Sequence, residues 1–179
     1  INGASFVDGV NGRVAIYAHG TVLMPHSSDL KPLTVYTEEN FTGESMQCEL
    51  HTYYRSLGSF DNKIKSFKLK RGYAVTFANN SDGTGYSRMF TDSEDIEISI
   101  MPDFLHETVS FIRVFKYHWV SKKGWAGSST DAGYLNCTWY YNWSADGDTS
   151  ADVEFVPHKH KVNWPGWGLN DKHNITHVL

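Results

Sequence analysis

Tyr36-Thr37-Glu38-Glu39-Asn40-Phe41-Thr42-Gly43 decides how the middle of this chain is read. Two aromatic residues stand five positions apart, and a glycine follows the second after one intervening residue. On either side the chain alternates apolar and polar residues: Thr34-Val35-Tyr36-Thr37, Ile64-Lys65-Ser66-Phe67-Lys68-Leu69, Tyr73-Ala74-Val75-Thr76-Phe77, Ile96-Glu97-Ile98-Ser99-Ile100 and Val109-Ser110-Phe111-Ile112-Arg113-Val114-Phe115. Turn formers separate these runs at Leu57-Gly58, Asp61-Asn62 and Asn79-Asn80-Ser81-Asp82-Gly83. Strands at this spacing, each with one polar face, predict an antiparallel sandwich over 34–115. Upstream, Arg13–Tyr17 and Thr21–Met24 flank His19-Gly20. They predict a strand pair, or the tail of a preceding module, over 1–33.

The aromatic-x4-aromatic-x-Gly octet resembles the signature of a βγ-crystallin Greek key. That resemblance implies a folded hairpin in which Tyr36 and Phe41 pack together, with Gly43 in a backbone conformation other residues avoid. It makes Phe77 to Tyr86 the second hairpin. Asp61-Asn62-Lys63-Ile64-Lys65-Ser66 falls where such a motif carries its calcium loop, which reads Asx-Asx-x-x-Ser/Thr-Ser, and His106-Glu107-Thr108-Val109-Ser110 is its looser copy. No cofactor is required by this reading. Calcium is the one the resemblance brings in, with Glu38, Asp61, Asn62 and Ser66 as candidate ligands. Lys65 departs from the pattern: it stands where a hydroxyl would bind the ion, and it adds a cation. His106 and Phe111 break the second loop. Calcium takes about six to eight oxygens, so degenerate, purely structural loops are the expectation.

Residues 116–179 change character. All six tryptophans lie between Trp119 and Trp167. Indole and phenol rings pair an apolar face with a polar tip, which suits sugar rings with their flat C–H faces and hydroxyl edges. Phe115–Val120, Asn136–Trp143 and Val153–Pro157 read as short strands, Lys122–Gly127 as a loop, and Ile175–Leu179 as the start of a further strand. Polar and aromatic residues gathered at the C-terminal ends of short strands are the pattern of a (β/α)8 barrel. Period two puts Trp139 and Tyr141 on one face and Tyr140 on the other.

Trp139-Tyr140-Tyr141-Asn142-Trp143, Glu154-Phe155-Val156-Pro157 and Thr176-His177-Val178-Leu179 resemble the opening of a glycoside hydrolase catalytic core, a TIM-barrel family that includes endo-β-1,3-glucanases. The resemblance implies a substrate wall of Trp139, Tyr141, Asn142, Trp143, His158, Trp164 and Trp167. Glycosidases of the usual kind need two carboxylates. Glu154 sits inside an apolar strand and reads as packing; Asp146, Asp148 and Asp152 sit in a solvated loop. No catalytic residue is therefore assigned within the chain. The resemblance places the acid/base in a Gly-Phe-Asn-Glu-Pro motif after Leu179, with the remaining barrel strands coming from a continuation or a partner chain.

The net charge of −4 and the lack of a basic stripe argue against a nucleic-acid surface. Lys63, Lys65, Lys68, Lys70 and Arg71 read as the wet face of a strand, and Asp92, Glu94, Asp95 and Glu97 as a solvated edge. No apolar run approaches the roughly 20 residues of a membrane helix. Cys48 and Cys137 match no metal or redox spacing and read as buried free thiols or a disulfide. His158-Lys159-His160 has a zinc-like H-x-H spacing, but sugar hydrogen bonding by His158 is the stronger reading. The chain opens on Ile1, as a trimmed product would. The sequence thus predicts a mainly β Greek-key sandwich plus the first strands of a (β/α)8 barrel. The expected function is part of a secreted, extracellular or periplasmic hydrolase of a β-1,3-glucan-like polysaccharide, using carboxylate acid/base chemistry. The alternative is a non-catalytic carbohydrate- or calcium-binding βγ-crystallin-type protein.

Overall fold

Burial follows the alternation of Leu33–Tyr36 residue by residue. The structure, a computed structural model, describes residues 12–17, 20–25, 29–117, 123–144, 147–148 and 150–158. Strands β1 (Gly12–Tyr17) and β2 (Gly20–Pro25) form an antiparallel hairpin. In β3 (Leu33–Tyr36), Leu33 and Val35 are fully buried and Thr34 and Tyr36 half-buried, so one face lies on a core. The sandwich continues through β4 (Ser45–Cys48), β5 (Tyr53–Tyr54), β6 (Ser66–Leu69), β7 (Tyr73–Ala78), β8 (Ser87–Thr91), β9 (Ile96–Ile98) and β10 (Phe111–Lys116).

The strands form two antiparallel four-stranded sheets, ordered β4-β3-β6-β9 and β5-β10-β7-β8. Each sheet takes three strands from one half of the segment and one from the other: β5 crosses to the second sheet and β9 to the first. This exchange makes the sandwich a pair of interlocked Greek keys. Between the sheets, Phe67 meets Phe77 at 5.0 Å and Phe90 at 5.1 Å between ring centroids. Leu33, Val35, Leu69, Val75, Ile112 and Val114 complete the core. Each such side chain contributes about 1.5–3 kcal/mol through area removed from water.

β10 departs from alternation, because Phe111 through Phe115 are all buried. Ile112 and Val114 belong to the sandwich core. Arg113 and Phe115, on the opposite side, face the rest of the chain.

That remainder is a different architecture. Strands β11 (Gly124–Ala126), β12 (Trp139–Tyr141) and β13 (Glu154–Phe155) lie parallel and in chain order, with helix α1 (Ser129–Tyr134) as the first crossover. Ser128 caps α1, its Oγ accepting from Asp131 N at 3.1 Å. The register aligns Trp125, Tyr140 and Phe155 in one row. Tyr140 is buried among Ala132, Cys137 and Val153, with Trp125 and Phe155 packed around them. The row therefore faces the helix.

Two sequence expectations change here. Lys122–Gly127, read as a loop, contains β11; Lys116, read as opening the second region, joins Phe115 in closing the sandwich in β10. Gly124 explains the first miss. A Cβ there would sit 2.0 Å from Trp139 Cε2, so the missing side chain that weakens the strand signal is what lets Trp139 cross its neighbour. After β10 the described residues contain three parallel strands and one helix, and an eight-stranded barrel is not among them. The terminal Ile175–Leu179 lies outside the described residues.

Candidate functional site

The first hairpin is built as its aromatic spacing requires. Tyr36 and Phe41 pack edge to face at 5.8 Å. Asn40, Phe41 and Gly43 all take positive φ. A Cβ on Gly43 would meet Thr37 Oγ1 at 2.6 Å and Glu38 Cγ at 2.8 Å, so glycine is required twice over. Ser66 Oγ locks the hairpin by donating to the Glu38 carbonyl at 2.7 Å and accepting from Phe41 N at 3.0 Å.

The second hairpin lies where the sequence placed it, between Phe77 and Tyr86. Asn80 N donates to Thr84 O and Asn79 N to Tyr86 O, as Glu38 N donates to Thr42 O and Thr37 N to Glu44 O. The match sets Ala78 and Gly83 at the positions of Tyr36 and Phe41, so Phe77 does not fill the first aromatic position. Phe77 is a core residue instead. The missing ring comes from Phe111, whose Cζ lies 3.4 Å from where a Gly83 Cβ would be.

The two loops pair reciprocally: Asn62 N donates to Val109 O, and Glu107 N to Ile64 O. Asn62 and Glu107 both have positive φ. Lys65 and Ser110 are equivalent, since their N–H groups donate to Tyr36 O and Ala78 O respectively. Lys65 Nζ lies 3.0 Å from Glu38 Oε2 and 3.3 Å from Glu107 Oε1. These contacts, Glu38 first, raise its pKa.

The four candidate calcium ligands are otherwise engaged. Glu38 holds Lys65, and Asp61 Oδ2 accepts from Asn62 Nδ2 at 3.1 Å. Asn62 Oδ1 accepts from Ser110 Oγ at 3.3 Å, and Ser66 serves the hairpin backbone. Among the described residues no three His, Cys, Asp or Glu side chains gather to hold a metal ion. The first loop does not fit calcium, because the Lys65 ammonium already holds Glu38 and reaches Glu107 of the second loop. The other lysines behave as the wet face of a strand, Lys68 pairing with Glu97 at 3.0 Å and Lys70 with Asp95 at 2.9 Å.

The parallel sheet carries the aromatic candidates. Trp139 and Tyr141 flank Tyr140 and point to the face opposite α1. Glu154 stands in register with Trp139 and shares that face. At the C-terminal edge, Tyr141 stacks on His158 at 5.0 Å and 21°, and meets Trp143 edge-on at 5.3 Å. Trp143 is 47% exposed with φ of 62°, an uncommon conformation for a bulky residue. Asn142 Oδ1 accepts from Ser144 N at 3.2 Å and shapes the turn that presents it. Trp164, Trp167, His160 and Asp146 lie outside the described residues.

The loop aspartates are structural rather than merely solvated. Asp148 accepts from Ser129 Oγ, Ser150 Oγ and Ser150 N. These bonds, Ser129 first, hold its carboxyl below the usual range. Asp152 accepts from Lys116 N at 3.2 Å and lies 3.3 Å from His51 Nε2. Both cysteines are free and buried, and burial pushes the Cys48 thiol up to about 12.

No protein-family model and no curated protein matches this sequence. Solved structures similar to it include a βγ-crystallin domain from Flavobacterium johnsoniae, 23% identical, covering 47% of this chain and 93% of that one at a TM-score of 0.41. The N-terminal domain of protein S is 22% identical, covering 48% and 96% at 0.42. A βγ-crystallin domain from Clostridium beijerinckii is 18% identical, covering 47% and 97% at 0.40. These are likenesses of fold over about half of the chain.

Proposed function

We propose that the chain binds a polysaccharide along the C-terminal edge of its parallel sheet, as part of a secreted glycoside hydrolase acting on a β-1,3-glucan-like glycan. The supporting observation is the grouping of Tyr141, Trp143 and His158 at that edge, on a sheet whose strands run parallel in chain order. That edge is where α/β enzymes place their ligands. Trp143 offers a flat face for a sugar ring, and Asn142 offers polar atoms for its hydroxyls. Proton transfer would fall to carboxylates after Leu179, as the sequence resemblance implies, because Asp148 and Asp152 are committed to holding the loop. A polymer too large to enter a cell fits an extracellular or periplasmic setting.

A second reading, a non-catalytic carbohydrate-binding protein of βγ-crystallin type, is favoured by the sandwich itself. Its hairpins and reciprocal loops are complete without the parallel unit. The two readings separate in one titration. A soluble β-1,3-glucan should perturb tryptophan emission, and Trp143→Ala should weaken that binding at least about tenfold, the scale of a lost sugar–aromatic stack. Release of reducing ends by the chain with its natural continuation supports the hydrolase. Binding without release supports the second reading, and no binding removes both.

A further inference from the structure

Arg113 is a cation buried to 4% exposure on the outer face of β10. Its Nη1 donates to Val153 O at 3.0 Å, and its Nη2 to Asp148 O at 3.3 Å and to Ala151 O. The guanidinium also lies over the Phe115 ring at 4.4 Å and the Tyr53 ring at 5.4 Å. A charge removed from water is costly unless its donors are met; both Nη groups are met here, while the buried Nε has no hydrogen-bond partner. Here the sandwich supplies the charge and the aromatic bed, and the parallel unit supplies the three carbonyls.

Those carbonyls belong to one loop, the connection from β12 to β13. Asp152 in the same loop reaches back to Lys116 at the end of β10 and to His51 between β4 and β5. The loop decides where β13 enters the sheet, and therefore where His158 meets Tyr141. We infer that Arg113 is the joint between the two halves: it positions the β12–β13 loop for the aromatic edge and makes the halves unfold together. Only the glycan consequence rests on the function proposed above.

The chain carries its own reporters. Cys48 is buried in the sandwich core, and Cys137 in the cluster around Tyr140. Pulsed thiol labelling along a urea series, read by peptide mass, follows each half separately. The full chain should expose both thiols in one transition. Arg113→Met should split them, Cys137 reacting at lower urea while the Cys48 transition stays nearly in place. Should R113M fail to fold, Asp152→Asn tests the same joint from the loop side, with the Cys137 transition alone moving. Two separate transitions in the parent, or variants that shift both thiols equally, would overturn the joint. In the glucan titration, R113M in the absence of urea should lose about tenfold in affinity. Unchanged affinity would overturn the positioning role. A parent that binds no glucan, with thiols that still uncouple, defeats the glycan reading and leaves the joint standing.

Discussion

The two Greek keys run through the same steps in opposite sheets, yet they fill two positions differently. The first hairpin carries its own rings, Tyr36 and Phe41. The second has Ala78 and Gly83 there and receives Phe111 from a distant strand. At the loop position that follows, the first motif has Lys65 between two glutamates and the second has Ser110 against Asn62. The difference teaches that a repeated backbone can be held by local parts in one copy and by imported parts in the other.

The strongest way to break the comparison is to remove the imported ring. Phe111→Ala should cost about 3–5 kcal/mol in urea unfolding, since the side chain is buried against Gly83 and Tyr53. Phe41→Ala, at a half-buried site, should cost visibly less. Equal losses would mean that the two rings do the same job.

Glycine substitution comes next. Gly43→Ala should cost about 1–3 kcal/mol, combining positive φ with close contacts to Thr37 and Glu38. Gly85→Ala should cost less, because its nearest obstacle is the Asn80 side-chain amide at 3.1 Å, which can give way. Melting temperatures of the pair would settle the order.

Lys65→Ser turns the first loop toward the calcium pattern and sharpens the contrast chemically. Calcium should raise the melting temperature of this variant more than that of the parent, by mass action. An equal response in both proteins would show that Lys65 is not what blocks the ion. The sign of its pH effect follows from the raised pKa. The stabilising pairings of Lys65 are fully present below the ordinary lysine value and are lost as pH rises through the raised one. The smallest effect belongs to Ser110→Ala, which removes one 3.3 Å hydrogen bond to Asn62. A loss of about 0.5–1.5 kcal/mol is expected from chemical denaturation.

Legibility divides along the same line. The first hairpin was legible because Tyr36, Phe41 and Gly43 lie within one octet. The second was legible as a hairpin between Phe77 and Tyr86, but not its ring, which is supplied from β10, beyond the reach of any local pattern. β3, β6, β7, β9 and β10 were legible from alternation, whereas β4, β8 and the two-residue β5 were not read as strands. In the candidate site, Trp139 and Tyr141 on one face and Tyr140 on the other followed from period two. Arg113 was hidden, because a cation in an alternating strand reads as solvent-facing until a later loop covers it. Asp148 and Asp152 were hidden for the same reason: their partners come from α1 and β10.

The exchange of β5 and β9 between sheets also sets an order in time. β5 has no partner strand until β10 exists, with Tyr53 opposite Arg113 and Tyr54 opposite Ile112. On a chain emerging from the ribosome, the first motif must wait, incomplete, while the second is made. Closure comes only when β10 slides between β5 and β7. The same strand then carries Arg113, whose partners Asp148, Ala151 and Val153 come later in the chain. The aromatic half is thus born onto a finished platform.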